Sequence, residues 1–155
     1  MGRYYNMASG DFDGKFGFGV QASDAGRRFG MGEPNTIILY TDNEKAVLDE
    51  INEIFKAMGV PKKDRRVDFS KEENPQEAIY QWAKDINLWG YAVKDIPREE
   101  AEKTGRQGIY SSDKEGFVGV PKSRELLSDY YDLMLGIQIY NDVLRNGYCE
   151  MTCEC

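Results

Sequence analysis

The sequence predicts an α+β fold in a single domain: an antiparallel or mixed sheet of about four to five strands, with three longer helices packed mainly on one face. Three observations carry this prediction. Short β-branched and aromatic runs with period-two alternation interleave with longer stretches whose apolar residues recur every three to four positions. The chain has 155 residues, enough for one ordinary core. Hydrophobic residues make up 41% and charged residues 30%, a globular rather than disordered balance. The domain is expected over residues 1–148, and residues 149–155 are read as a cysteine-containing tail.

The first element is a hairpin. Phe12, Phe16, Phe18 and Val20 alternate with Asp11, Asp13, Lys15, Gly17, Gly19 and Gln21, the pattern of a half-buried strand. Asp13-Gly14 is a favoured tight turn, so one strand should end near Phe12 and the next run from Lys15 to Gln21. Thr36–Thr41 is β-branched and aromatic and reads as a strand. Asp42 or Asn43 should then cap a helix to about Met58, with Val47, Leu48, Ile51, Ile54 and Phe55 on its apolar face and Gly59 and Pro61 ending it. Asn74-Pro75-Gln76-Glu77 combines a cap, an N-terminal proline and a capping-box glutamate, and opens a helix along Ala78, Ile79, Trp82, Ala83 and Ile86. Leu88–Val93 reads as a strand, Pro97–Lys103 as a short helix closed by Gly105, and Ile109–Ser112 with Gly116–Val120 as a second hairpin. A terminal helix should run from Ser123 to about Arg145 and stop at Asn146-Gly147. Its apolar residues spread over more than one side, which implies central burial or a homodimer contact.

The opening carries a resemblance. Gly2 to Tyr5, then Gly10, Asp11, Gly14, Lys15, Phe16, Phe18, Val20, Gln21, Ser23 and Asp24 follow the order of a Gly-Arg-Tyr-Tyr element, a Gly-Asp-x-x-Gly-Lys-Phe-x-Phe-x-Val-Gln core and a Ser-Asp pair. Over about its first thirty residues the chain resembles a group of uncharacterised phage and large-virus proteins that begin this way. The Met7-Ala8-Ser9 spacer and Gly17, where a larger aromatic is expected, depart from the pattern. Gly14 to Gln21 is also faintly similar to a segment of a phage inhibitor of Cas12-type nucleases. The resemblance implies a viral accessory protein and brings no activity with it.

Composition narrows the chemistry. A net charge of −7 argues against general nucleic-acid binding, which rests on clustered Lys and Arg, and permits attraction to a basic partner protein. Lys62, Lys63, Arg65 and Arg66 form one local basic run, read as a solvated loop with an anion or RNA contact as the alternative. The absence of histidine removes Ser-His-Asp and Cys-His schemes and the usual histidine-bearing zinc sites. The acids are scattered: Asp11 and Asp13 flank a turn, and Asp42, Asp49, Glu50 and Glu53 lie on one helix or its cap. No GxxxxGK[ST] loop is present. Cys149, Cys153 and Cys155 cluster at the end and are read as a reduced, frayed tail, since three thiols without a fourth ligand make a poor zinc site.

Two functional readings follow. In the first, an acidic virus-encoded protein binds and modulates a basic host protein, one that handles nucleic acid or serves defence, without catalysis. Asp11, Asp13, Lys15 and Gln21 on the outer side of the hairpin are its expected contact residues, and no cofactor or metal is required. In the second, the glycine-rich hairpin serves a small nucleotide-binding protein or a carboxylate-dependent nuclease, with Arg27, Arg28 and the Lys62–Arg66 run as anion contacts. With no long apolar run and no basic-then-apolar leader, neither a membrane span nor a secretion signal is expected, and the cytoplasm, that of the host cell for a viral protein, is the expected location.

Overall fold

A computed structural model describes residues 3–16, 27–29, 35–104 and 109–154. The fold is α+β, with two antiparallel sheets. Strands β1 (Arg3–Met7), β2 (Asp13–Phe16), β3 (Asn35–Tyr40) and β7 (Tyr148–Glu154) form the larger sheet in the order β2-β1-β7-β3. Strands β4 (Val93–Pro97), β5 (Tyr110–Ser111) and β6 (Phe117–Pro121) form the smaller one in the order β4-β6-β5. The helices are α1 (Glu44–Met58), α2 (Pro75–Asp85), α3 (Arg98–Thr104) and α4 (Arg124–Asn146).

Local chemistry sets the helix ends. Gly59 takes the left-handed conformation (φ 76°) and its N–H closes α1 on the Lys56 and Phe55 carbonyls. The Asn74 side chain accepts from Glu77 N at 3.2 Å, with Pro75 at the first helical position of α2. Ser123 accepts from Leu126 N at 3.0 Å, and left-handed Gly147 (φ 81°) ends α4.

Helix α4 is the hub, in contact with α1, α2, β6 and β7. Residues 131–139 are all buried within the single chain, so central burial accounts for the breadth of its apolar surface. Its buried polar residues are tied to other segments. Asn141 donates to Val67 O at 2.8 Å and accepts from Phe69 N at 2.6 Å, clamping the long connection between α1 and α2. Gln138 donates to Met134 O at 2.9 Å and accepts from Gln76 of α2 at 3.0 Å. Gly136 lets the Phe29 ring close on the helix, for a Cβ there would stand 2.4 Å from Phe29 Cζ.

Three expectations are corrected. The first hairpin pairs β1 with β2, placing Tyr5 opposite Gly14 and Asn6 opposite Asp13. Its connection is therefore Ala8–Phe12, with Gly10 at φ 77°, and Asp13-Gly14 belongs to a strand rather than a turn. Residues 149–154 are no frayed tail, because β7 is an inner strand bonded to β1 and β3, with Cys149 and Met151 fully buried. Leu88–Tyr91 is a 3-10 turn, and the strand begins only at Val93. The strand continuation expected through residues 17–21, including Gln21, lies outside the described residues.

Candidate functional site

The residues expected to form the outer face of the first hairpin are not all free to bind. Asp11 Oδ2 accepts from Arg145 Nε at 3.2 Å and from Asn146 Nδ2 at 3.0 Å, while Arg145 also donates to the Ser70 and Glu72 carbonyls at 2.9 and 3.2 Å. Ser9 Oγ donates to the buried Asp142 at 2.6 Å. This loop is therefore fastened to the end of α4. The backbones of Asp13 and Lys15 lie in β2, opposite Asn6 and Tyr4.

The Asn146 amide, supported by Arg145, holds the Asp11 carboxyl below the usual carboxylate range against the opposing effect of burial. A carboxyl depressed in the folded state stabilises the protein above its unfolded pKa, and that contribution is lost as the pH falls through the folded value. Asp11→Asn should therefore cost about 1 kcal/mol or less at neutral pH, the ion pair being partly solvated. The difference from wild type should persist down to about pH 4, shrink below it and vanish only once the pH has fallen through the lower, folded value. Urea melts of both proteins across pH 2–7 check this. Asp68, held low chiefly by hydrogen bonds from Ser70, titrates in the same window in both proteins and cancels in the comparison.

The expected anion contacts are dispersed. Arg28 bridges Glu50 of α1 at 2.7 Å and Asp129 of α4 at 3.2 Å, and the Arg27 backbone shares its 3-10 turn, Arg27–Phe29. Arg65 donates to Val60 O at 2.9 Å and lies over the Phe55 ring. Arg66 pairs with Glu72 at 2.6 Å and lies 4.1 Å from the Phe69 ring centroid. Both arginines thus pin the α1–α2 connection, and Lys62 and Lys63 stand exposed in a single 3-10 turn. Among the described residues, no three His, Cys, Asp or Glu side chains converge as a metal site would require.

A cleft of about 380 Å³ lies elsewhere, lined by Tyr80, Ala83, Lys84, Asn87, Trp89, Asp113, Tyr130 and Met134. Its construction follows from three local features. Tyr80, Ala83 and Lys84 are one turn apart on α2, and Tyr130 and Met134 one turn apart on α4. Asn87, the sole non-glycine residue with positive φ among those described (51°), reverses the chain after α2. Gly90 leaves room for the Asn87 amide, whose Nδ2 would lie 2.5 Å from a Cβ at that position. The β5–β6 turn supplies Asp113 and is held by Ser112 Oγ accepting from Lys114 N at 3.1 Å.

Three aromatic rings line the cleft, and two of them are braced by other rings. Trp89 meets Tyr110 and Tyr130 edge to face at centroid distances of 5.1 and 5.0 Å, and Tyr130 meets Tyr131 at 5.3 Å. Tyr80 is 43% exposed at the mouth, and its hydroxyl lies 3.4 Å from Gln76 Nε2. Burial pushes the Tyr130 phenol up to about 12, with the neighbouring Tyr80 adding to it, and raises Tyr131 further. These hydroxyls stay neutral through the physiological range and do not act as tyrosinate bases there. What remains is a half-open cleft of mixed character, three aromatic rings together with an exposed carboxylate, an exposed ammonium and the Asn87 amide, suited to binding.

Sequence reading missed this site. By sequence Trp89 falls in the expected strand and Tyr80 carries no motif; the one signal is a density of aromatic residues at 80, 82, 89 and 91. Comparison with protein-family models, curated proteins and solved structures gave no match.

Proposed function

We propose that the protein is a non-catalytic, acidic binding protein, encoded by a virus, that docks a basic host protein in the host cytoplasm and modulates it. The observation that carries this reading is the cleft between α2 and α4, a concave site that combines aromatic rings with an exposed carboxylate on a chain of net charge −7. Viral origin rests on the resemblance of the opening residues. Among the described residues no helix is long and apolar enough to cross a membrane.

Long-range attraction between an acidic protein and a basic partner speeds encounter and is screened beyond a Debye length of about 8 Å at physiological ionic strength. The immobilised full-length protein should therefore retain arginine- and lysine-rich peptides over charge-reversed peptides of equal length, with retention falling between low and high salt. Equal retention of both sets, or retention indifferent to salt, contradicts the reading.

A further inference from the structure

We infer that the cleft seats one arginine side chain of the basic partner, with the rings of Tyr80, Trp89 and Tyr130 as its walls and the Asp113 carboxylate at its rim. This deepens the proposed function and rests on its basic partner.

Four observations favour a guanidinium. The lining combines three π-systems with a carboxylate, and a cation set against aromatic rings gains from their quadrupoles, more so as water is excluded. Guanidinium is planar, weakly hydrated and able to offer paired donors to a carboxylate, so it leaves water for an aromatic site more readily than an ammonium. The Trp89 and Tyr130 rings stand nearly at right angles, at 77°. That makes a box rather than the parallel slot that a stacked nucleobase needs. Finally, two of the three walls, Trp89 and Tyr130, are held in place before binding: Leu88 is fully buried beside Trp89, Trp89 is braced by Tyr110 and Tyr131, and Tyr130 packs on Trp89 and Tyr131. A preformed site loses little freedom when its ligand enters.

Lys84 is the one cation on the lining. It is exposed at the last turn of α2, where its long stem lets the ammonium remain in water.

The test uses the full chain and a single-arginine probe, acetyl-Gly-Arg-Gly-amide, against its citrulline counterpart, which is nearly isosteric and neutral. The protein has two tryptophans, whose indole N–H signals serve as internal reporters. Trp82 is buried and donates to Asp64 O at 2.9 Å, whereas Trp89 lines the cleft. The arginine peptide should shift the Trp89 signal saturably and leave Trp82 unmoved, and citrulline should bind about tenfold more weakly. Asp113→Asn and Tyr80→Leu, both at exposed positions, should each weaken arginine binding about three- to tenfold with an unchanged melting temperature. Equal binding of citrulline, an unshifted Trp89 signal, unaltered affinity in both variants, or a Trp89 shift produced by adenosine monophosphate instead would each overturn the inference. If the basic peptide set still binds both variants as tightly as wild type, the cleft assignment falls and the binding function stands. If wild type retains no basic peptide at all, the function itself falls.

Discussion

Ile137→Asp is expected to unfold the protein. Ile137 is fully buried at the middle of α4, within the run from 131 to 139 that has no solvent-facing side. An aspartate there either carries an unpaired charge into the core or gives up its proton-free state, and in both cases a branched apolar side chain is lost. The combined cost exceeds about 4 kcal/mol, a large share of the roughly 5–15 kcal/mol that holds a domain together. Loss of the cooperative thermal transition by circular dichroism is the expected result. A variant that stays folded and only changes its mass from dimer to monomer would make α4 an interface rather than a core helix.

Removal of residues 148–155 is expected to be equally severe. Strand β7 lies between β1 and β3, so its loss leaves those two strands without the partner that joins them. It also withdraws fully buried Cys149 and Met151 from the surface of α4. Burial, with the nearby Asp142 carboxylate adding to it, raises the Cys149 thiol, which is therefore a protonated core residue and not a reactive tail cysteine. The truncated chain should show neither dispersed amide signals nor a sigmoidal urea transition. A truncated chain with wild-type dispersion and midpoint would restore the tail reading.

The helices were legible because their stop and start signals are local: Asn74 with Pro75, Ser123, Gly59 and Gly147 act on backbone groups within a few residues. The β5–β6 hairpin was legible for the same reason. Strand β7 was also written in the chain, since Cys149, Met151 and Cys153 alternate with Glu150, Thr152 and Glu154, but three thiols clustered at the end of the chain read as a reduced, frayed tail. In the first hairpin, two glycine signals competed, and the loop through Gly10 prevailed over Asp13-Gly14 because it is fastened at Ser9 and Asp11 to the end of α4. Those partners are more than 130 residues away in sequence, where local rules have no reach. The same holds for Asn141, whose polar side chain sits in the core because it clamps Val67 and Phe69. For Leu88–Tyr91, aromatic β-propensity was overridden by the left-handed Asn87 and the space at Gly90. The cleft draws on α2, the turn after it, the β5–β6 turn and α4, so no single stretch of sequence announces it.

The central claim is that a basic partner is held at this cleft, and hydrogen–deuterium exchange of the full-length chain tests it most directly. With a bound arginine-rich peptide, slowed exchange should be confined to residues 80–91 and the turn around Asp113, with the loop from Ala8 to Phe12 unchanged. Protection centred on that loop and β2, with residues 80–91 unaffected, would contradict the account and return the working surface to the first hairpin.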